Sequence, residues 1–218
     1  MKHKIIKGVY TALITPFREN KLDEYSFANI IEKQINAKID GIVLCGSTGE
    51  GQTLSIDEHK YILKLGVEIA NKRTNIMASS GSCSTDTSID ISKYAESIGV
   101  DSLMVSTPSY NRPTQDGLYM HYKMINDSVS IPIIIYNVPI RTSVDISDDN
   151  VIRLSKLDNI VGIKDASGNL SRPLNKTSNH ILHKSLEKWP IISKRISRET
   201  PLLSSVTLTE LMNTNTGP

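Results

Sequence analysis

The sequence predicts an α/β protein with the fold of a (β/α)8 (TIM) barrel that is incomplete, with about six βα units present. Short apolar runs rich in β-branched residues recur roughly every thirty residues, and a pattern with the period of an α-helix follows each of them. Glycine, proline and polar residues concentrate in the loops after the strands. Because this alternation is typical of parallel strands joined by helices, we expect an active site at the carboxyl ends of the strands.

Six strands are predicted from the apolar runs. They cover residues 8–15, 41–45, 75–79, 100–105, 131–136 and 160–164. A doubly wound sheet is built from the same units, but no Gly-x-Gly-x-x-Gly sequence follows the first strand, as the dinucleotide-binding form of that fold requires. The barrel is therefore the preferred architecture.

Five helices are predicted from capping signals and from apolar residues that share one face. Ser55 and Glu58 have the spacing of a capping box, Thr114 and Ser147 stand at helix starts, and Gly99 ends a helix. The apolar faces comprise Phe27, Ile30, Ile31 and Ile35; Ile62, Leu65 and Ile69; Ile91, Tyr94, Ala95 and Ile98; Leu118, Tyr122 and Ile125; and Val151, Leu154 and Leu157.

The strand–helix alternation then stops. We predict a partial barrel that carries catalysis at residues 1–170 and a basic, Ser/Thr-rich tail at 171–218, in which 181–186 could form a short helix and 202–208 a short strand. Closing an eight-stranded barrel takes roughly two more βα units, about sixty residues. The sequence therefore indicates a truncation or a frameshift after about residue 172.

Composition excludes several classes of protein. With 218 residues and 39% hydrophobic side chains the chain can bury one substantial core, and no apolar run is long enough for a membrane span. Residues 1–170 hold 18 Lys and Arg against 20 Asp and Glu, whereas 171–218 hold 7 against 3, so the body lacks a basic surface for nucleic acid. Cys45 and Cys83 are far apart without metal-ligand spacing, which favours a reducing cytoplasm.

Lys164 ends the sixth predicted strand, directly after Ile160-Val161-Gly162-Ile163. An unpaired ammonium group is costly in apolar surroundings, so this lysine is paired, points into solvent or takes part in chemistry. The chemistry would be an imine with a carbonyl substrate, because a partly buried lysine loses its proton more easily. Lowering a lysine pKa from about 10.4 to roughly 7–8 yields about a thousandfold more free amine at pH 7.

Other strand ends carry residues that would converge with this lysine. Tyr136 ends the fifth strand and could transfer protons, although a core tyrosine with a satisfied hydroxyl is the alternative. Ser47 and Thr48 offer hydroxyl and N–H groups to a carboxylate, or form only a turn. Arg141 could bind a carboxylate through two hydrogen bonds or lie in a surface ion pair. Tyr110, in a Pro-containing loop, could equally be a surface aromatic residue.

Four motifs occur in a fixed order along the chain. They are Gly46-Ser47-Thr48-Gly49-Glu50, Ser109-Tyr110-Asn111-Arg112-Pro113, Tyr136-Asn137-Val138-Pro139-Ile140-Arg141-Thr142 and Gly162-Ile163-Lys164-Asp165-Ala166-Ser167-Gly168-Asn169. Together they resemble the 4-hydroxy-tetrahydrodipicolinate synthase (dihydrodipicolinate synthase) family of pyruvate-dependent class I aldolase-type lyases, over about residues 5–172. The resemblance implies condensation of pyruvate with aspartate semialdehyde in lysine and diaminopimelate biosynthesis.

The resemblance also implies roles for the catalytic residues. Lys164 would form the Schiff base with pyruvate, and Tyr136 would relay protons. Ser47 stands where the family usually has threonine, and its hydroxyl would link Tyr136 to a second tyrosine, Tyr110. That second tyrosine would come from the neighbouring subunit of a tight dimer.

Substrate binding is implied in the same way. Thr48 would hold the pyruvate carboxylate and Arg141 the carboxylate of aspartate semialdehyde. The chemistry implies no cofactor beyond the covalent imine and no metal, and the sequence contains no metal-ligand cluster.

The sequence leaves three interpretations of activity open. The chain could be the synthase, acting as the homodimer or homotetramer that the family forms, or an inactive truncated remnant of it. A related pyruvate aldolase acting on sugar acids is the third. Whether a dimer assembles without the two missing βα units stays open as well.

Overall fold

A computed structural model of the chain describes residues 6–169, 172 and 191–193. In chain order the elements are β1 (Tyr10–Ala12), β2 (Phe17–Arg18), β3 (Lys21–Leu22), α1 (Glu24–Asn36), β4 (Gly41–Leu44), α2 (Ile56–Ala70), β5 (Asn75–Ser79), α3 (Thr85–Ser97), β6 (Ser102–Ser106), α4 (Gln115–Ser128), β7 (Ile133–Asn137), α5 (Pro139–Thr142), α6 (Asp148–Leu154), β8 (Ile160–Asp165) and β9 (Ile191–Ser193). One parallel sheet has the order β1-β4-β5-β6-β7-β8-β9, and β2 pairs with β3 in a separate antiparallel hairpin. The six predicted strands are present and curl into a half-barrel, which confirms the incomplete barrel.

The sheet has two faces with different neighbours, because successive side chains of a strand point to opposite sides. The face that packs against the helices carries Ile42, Leu44, Ile76, Ala78, Leu103, Val105, Ile133, Ile135 and Ile163. The inner face carries Tyr10, Val43, Met77, Met104, Ile134 and Tyr136. The strands are thus buried on both sides, as their nearly continuous apolar sequences require.

The helix-capping predictions are confirmed. Ser55 Oγ accepts a hydrogen bond from the Glu58 N–H at 3.2 Å, and the Glu58 carboxylate accepts one from the Ser55 N–H at 2.8 Å, which completes the capping box of α2. Thr114 and Ser147 cap α4 and α6 through their hydroxyl groups. Gly99 follows α3 with a φ of +88°, a left-handed conformation that glycine adopts at low cost.

Three differences from the sequence-based prediction concern short elements. The first strand, expected over residues 8–15, has only three residues, and the β2–β3 hairpin follows it. The short helix α5 was not predicted. Neither was β9, which pairs with β8 in parallel, so that Ile192 lies opposite Lys164. Two- to four-residue elements give no periodicity from which they could be recognised.

Two predicted elements of the tail, the helix at 181–186 and the strand at 202–208, lie outside the described residues. None of the helices in the described ranges is long and apolar enough to cross a membrane.

Candidate active site

Tyr136 and Lys164 face each other at the carboxyl ends of adjacent strands. They are register partners in the parallel pair of β7 and β8, and Ser106 is the partner of Tyr136 on β6. Paired residues of a sheet project to the same face, which here is the inner face of the half-barrel. The Lys164 Nζ atom lies 4.2 Å from the centroid of the Tyr136 ring and 3.9 Å from Met104 Sδ. The structure thus brings together the two residues on which the predicted imine chemistry depends.

The contact with the ring holds the amine of Lys164 in place. Its cationic form lies over the negative face of the Tyr136 ring, an interaction of about 0.5–2 kcal/mol. Tyr136 is 8% exposed and belongs to the same apolar group as Met104 and Ile134. Since Lys164 is only partly buried, its amine remains within reach of a small molecule that enters from the rim.

A cavity of about 470 Å³ opens at this end of the sheet, formed by the loops that follow β4, β5, β6 and β7. Its wall carries hydroxyl groups of Ser47, Thr53, Ser79, Ser82, Ser106, Ser109, Tyr136 and Thr142, together with the ionisable groups of Glu50 and Arg141. The volume suits a small metabolite, and the lining suits a polar one. Ser47, Tyr136 and Arg141 are the predicted site residues on this wall, whereas Lys164 and Thr48 are not part of it.

The loop after β4, which carries Ser47 and Thr48, is held in one conformation by close backbone packing. The Gly46 carbonyl accepts hydrogen bonds from the N–H groups of Gly49 at 3.0 Å and Gly51 at 3.1 Å. A Cβ atom on Gly51 would lie 1.9 Å from the Cys45 carbonyl oxygen, so only glycine fits there. Ser47 is consequently exposed at the cavity, and Thr48 is half-buried beside it.

Arg141 lies at the rim of the cavity on α5, a single turn after β7. Thr142 anchors this turn, because its buried Oγ1 atom lies 3.0 Å from Thr107 Oγ1 and donates to the Val138 carbonyl at 3.2 Å. The guanidinium group itself is exposed. It is therefore positioned by the turn but free to meet a carboxylate that arrives from solvent.

Tyr110 does not reach the cavity of its own chain. Its side chain is 90% exposed, and its φ of +70° places the residue in the left-handed region, which is uncommon for residues other than glycine. Ser109, directly before it, lines the cavity. Tyr110 is thus a surface residue of its own chain, next in sequence to a residue that lines the cavity.

Two buried groups near the cavity, Cys45 and His59, have no predicted catalytic role. Burial raises the pKa of the Cys45 thiol to about 12, which favours the protonated thiol over the nucleophilic thiolate. His59 is 5% exposed, and its Nε2 atom lies 2.8 Å from the Ser79 carbonyl oxygen. Burial lowers the pKa of His59, although hydrogen bonds to Ser79 and Gly51 oppose that effect. A neutral His59 that joins α2 to β5 is a structural group.

Within the described ranges no group of three or more His, Cys, Asp or Glu side chains could hold a metal ion. This end of the sheet instead carries the amine of Lys164 over the Tyr136 ring, and the hydroxyl and guanidinium groups of the residues that line the cavity.

Comparison with known proteins identifies the family. Residues 5–187 match the model of the dihydrodipicolinate synthetase family, which is most of the chain. The chain belongs to this family. Its described half-barrel matches the TIM-barrel fold of the solved dihydrodipicolinate synthases. The match continues past residue 171, the predicted start of the tail, and that domain boundary stays a prediction.

The relatives agree in sequence and in fold. The 4-hydroxy-tetrahydrodipicolinate synthase of Phenylobacterium zucineum is 48% identical over 168 residues, which are 77% of this chain and 57% of the relative. The structure of the synthase from Methylacidiphilum fumariolicum superimposes with a TM-score of 0.79 at 44% identity, covering 86% of this chain and 61% of that one. The pyruvate complex of the Acinetobacter baumannii enzyme gives a TM-score of 0.80 at 41% identity, with coverages of 86% and 63%. The chain therefore spans less than two thirds of the length of these relatives.

Proposed function

We propose that the protein condenses pyruvate with aspartate semialdehyde to 4-hydroxy-tetrahydrodipicolinate through a Schiff base on Lys164. The observation that carries this proposal is that the amine of Lys164 lies 4.2 Å from the centre of the ring of Tyr136, a residue that lines the polar cavity. Membership of the dihydrodipicolinate synthetase family and the similarity to a relative crystallised with pyruvate support it.

In the first stage the neutral amine of Lys164 attacks the ketone carbon of pyruvate. The carbinolamine that forms takes up a proton on its hydroxyl group and loses water, which leaves a protonated imine. The phenol of Tyr136, beside the amine, supplies and recovers the protons of these steps. The hydroxyl of Ser47 on the cavity wall would link Tyr136 to Tyr110 in the proton relay, and Thr48 next to it would receive the carboxylate of pyruvate.

In the second stage the protonated imine draws electrons from the adjacent methyl group, which loses a proton and becomes an enamine. The enamine carbon attacks the aldehyde of aspartate semialdehyde, and the aldehyde oxygen becomes a hydroxyl group. The amine of the semialdehyde then attacks the imine carbon, closes the six-membered ring and releases Lys164. Arg141 at the rim would bind the semialdehyde carboxylate through two parallel hydrogen bonds.

The exposed Tyr110 implies a partner. We propose that two copies of the chain pack so that the Tyr110 ring of each enters the cavity of the other, in a homodimer or in a homotetramer built from such dimers. Its 90% exposure in a single chain and its position next to a cavity-lining residue support this arrangement. A cytoplasmic location, where pyruvate is present, fits the same proposal.

The test is covalent trapping. The purified chain is incubated with pyruvate and sodium borohydride, and intact and peptide masses are measured. One reduced pyruvyl group per chain is expected on Lys164, and Lys164→Arg should abolish it. Lys156→Arg, which removes an exposed lysine near the end of α6, is the matched control and should leave the adduct unchanged.

A folded chain that gives no adduct would instead support the inactive remnant. An adduct without condensation of aspartate semialdehyde, accompanied by cleavage or synthesis of a keto-sugar acid, would support the aldolase alternative.

A further inference from the structure

The residues that follow Tyr136 and Lys164 form a polar network on the other side of the sheet. Asn137 and Asp165 are register partners on β7 and β8, so their side chains point to the face opposite Tyr136 and Lys164. Asn137 is fully buried, and its Nδ2 atom donates a hydrogen bond to Asp165 Oδ1 at 3.3 Å. The ends of β7 and β8, which bear Tyr136 and Lys164, are thus linked on the opposite face of the sheet by Asn137 and Asp165.

The loop before α6 is bonded to Asn137, whose Nδ2 atom donates to Asp145 Oδ1 at 2.8 Å. Asp165 is connected to the same loop by Arg172. Its Nη1 atom donates to Asp145 Oδ1 at 2.6 Å, and its Nη2 atom donates to the Ile146 carbonyl. Its Nε atom lies 3.3 Å from Asp148 Oδ1 and 3.5 Å from Asp165 Oδ2. Only 7% of the Arg172 side chain is exposed. Its buried guanidinium group therefore links the end of β8 to the 145–148 segment inside the protein.

The charges of the network explain why an arginine is needed. The Asp165 side chain is 9% exposed, against 54% for Asp145 and 38% for Asp148, so Asp165 has the least access to water and depends most on a cation. A planar guanidinium offers donors in several fixed directions, whereas an ammonium offers a single point of charge. Burial acts to lower the pKa of Arg172, but Asp145, Asp165 and Asp148 together hold it above its usual value.

Asp165 also ends the strand that bears the lysine. Its Oδ1 atom accepts a hydrogen bond from the Ser167 N–H at 2.9 Å, and the Ala166 N–H donates to the Asn137 carbonyl at 2.8 Å. The backbone next to Lys164 therefore leaves the sheet at a point fixed by the Asp165 carboxylate. If that carboxylate moves, the lysine one residue earlier moves with it.

We propose that Arg172 is a positioning residue: by holding Asp165 and the 145–148 segment together, it fixes the amine of Lys164 over the Tyr136 ring. The geometric part of this inference needs no substrate, and its catalytic consequence rests on the function proposed above. A misplacement of about 1 Å at a reacting centre lowers a rate by about a hundredfold. We therefore expect a tenfold to hundredfold slower formation of the pyruvate adduct at saturating pyruvate when Arg172 is replaced, a scale set by the same principle.

The geometric test is an NMR measurement without pyruvate. Lysine amines are ¹³C-dimethylated, and the Lys164 signal is assigned by its loss in Lys164→Gln. A methyl group above an aromatic ring experiences a ring-current shift, so this signal should be displaced from those of the exposed lysines. In Arg172→Gln the displacement of the Lys164 signal should become smaller. In Arg172→Lys, which keeps the positive charge but lacks the planar guanidinium with its several donors, it should decrease less.

Two further variants guard against a simple loss of folding. Asp165→Asn removes the charge facing Arg172 but retains an oxygen for the N–H groups of Asn137 and Ser167, and it should reproduce the smaller displacement. Arg153→Gln removes another aspartate-paired arginine, bound to Asp116 at 2.7 Å on the surface, and should change nothing. A displacement that is unchanged in Arg172→Gln and in Asp165→Asn would overturn the proposal, even if both variants melt at a lower temperature.

The trapping rate with pyruvate then separates the two proposals. If the NMR displacement responds to Arg172 but the unsubstituted chain forms no adduct, the positioning role stands and the proposed function fails. If the unsubstituted chain forms the adduct and Arg172→Gln forms it at the same limiting rate, with only a changed half-saturating pyruvate concentration, the catalytic consequence is wrong.

Discussion

At the scale of single residues, Tyr136 has two distinct properties toward Lys164, one belonging to its aromatic ring and one to its hydroxyl group. The ring of Tyr136 holds the amine by its π face. In the proposed mechanism its phenol also supplies a transferable proton. One substitution removes the second property and leaves the first.

Tyr136→Phe should retain the position of the Lys164 amine and slow adduct formation with pyruvate by about a hundredfold or more, since a positioned general acid–base contributes about 10²–10⁴-fold. The measurement is the rate of the borohydride-trapped mass increase. Tyr61→Phe is the matched control, because it removes only a surface hydroxyl that donates to Glu24 at 2.7 Å. An equal rate in Tyr136→Phe and the unsubstituted chain would remove Tyr136 from the proton relay.

Substitutions of Gly51 and Gly46 test the close packing of the loop after β4 at the scale of single residues. In Gly51→Ala the new methyl group would lie 1.9 Å from a backbone carbonyl oxygen, whereas in Gly46→Ala its nearest neighbour would be 3.6 Å away. Urea unfolding should show a loss of about 1–3 kcal/mol or more for Gly51→Ala, as expected when an extra group is forced into a packed site. Gly46→Ala should lose clearly less, and similar losses would contradict the packing described for this loop.

At the scale of elements, the contact between α3 and α4 contains a buried histidine. His121 lies 4% exposed on α4, with its Nδ1 atom 2.9 Å from Thr85 Oγ1 of α3. Its Nε2 atom is buried without a hydrogen-bond partner among the described residues. Burial lowers the pKa of His121 from 6.5 to about 4. The helix pair therefore requires the neutral imidazole.

Stability should consequently fall with acidification. Between the folded pKa of about 4 and the unfolded pKa of 6.5 the unfolded chain binds the proton more readily, so the free energy of unfolding decreases as the pH falls through this range. From pH 7 to pH 5 the contribution of His121 to this loss is about 2 kcal/mol. The measurement is urea unfolding at both values, with His121→Asn as the control that should lose less. An equal loss in both proteins would show that another group is responsible.

The elements also show what the sequence could predict. Strands of four to six mainly apolar residues and helices with capping signals such as Ser55 and Thr114 were predicted correctly, because these signals are local. The turn α5 was missed, since the contact of Thr142 with Thr107 joins residues 35 positions apart. The same holds for Arg172, whose partners Asp145 and Asp148 are 27 and 24 positions away. The motifs predicted Lys164, Tyr136, Ser47, Tyr110, Thr48 and Arg141 as site residues, but only the folded structure could show that Ser47, Tyr136 and Arg141 line the cavity and that Lys164, Thr48 and Tyr110 are not part of its wall.

At the scale of the whole molecule, the exposed Tyr110 makes assembly testable by mixing. Lys164→Arg and Tyr110→Phe should each be inactive or nearly so in the condensation assay. If Tyr110 acts across the dimer, a mixed dimer has one intact site, so equal mixing with full exchange should restore about a quarter of the sites. Condensation activity and sedimentation, both measured on the mixture, check this prediction. No recovery in a mixture that demonstrably contains mixed dimers would place Tyr110 outside the neighbouring site.

The three-residue strand β9 has a consequence for handling the protein. It lies along β8 with Ile192 opposite Lys164, so the strand that bears the lysine has hydrogen-bonded neighbours on both sides. A chain cut before Ile191 would leave the backbone N–H and C=O groups of β8 open to pairing with a strand of another molecule. Forms of the protein shortened in this way would then precipitate, because the edge of β8 beside Lys164 is uncovered. They would do so even though every side chain of the proposed reaction is still present.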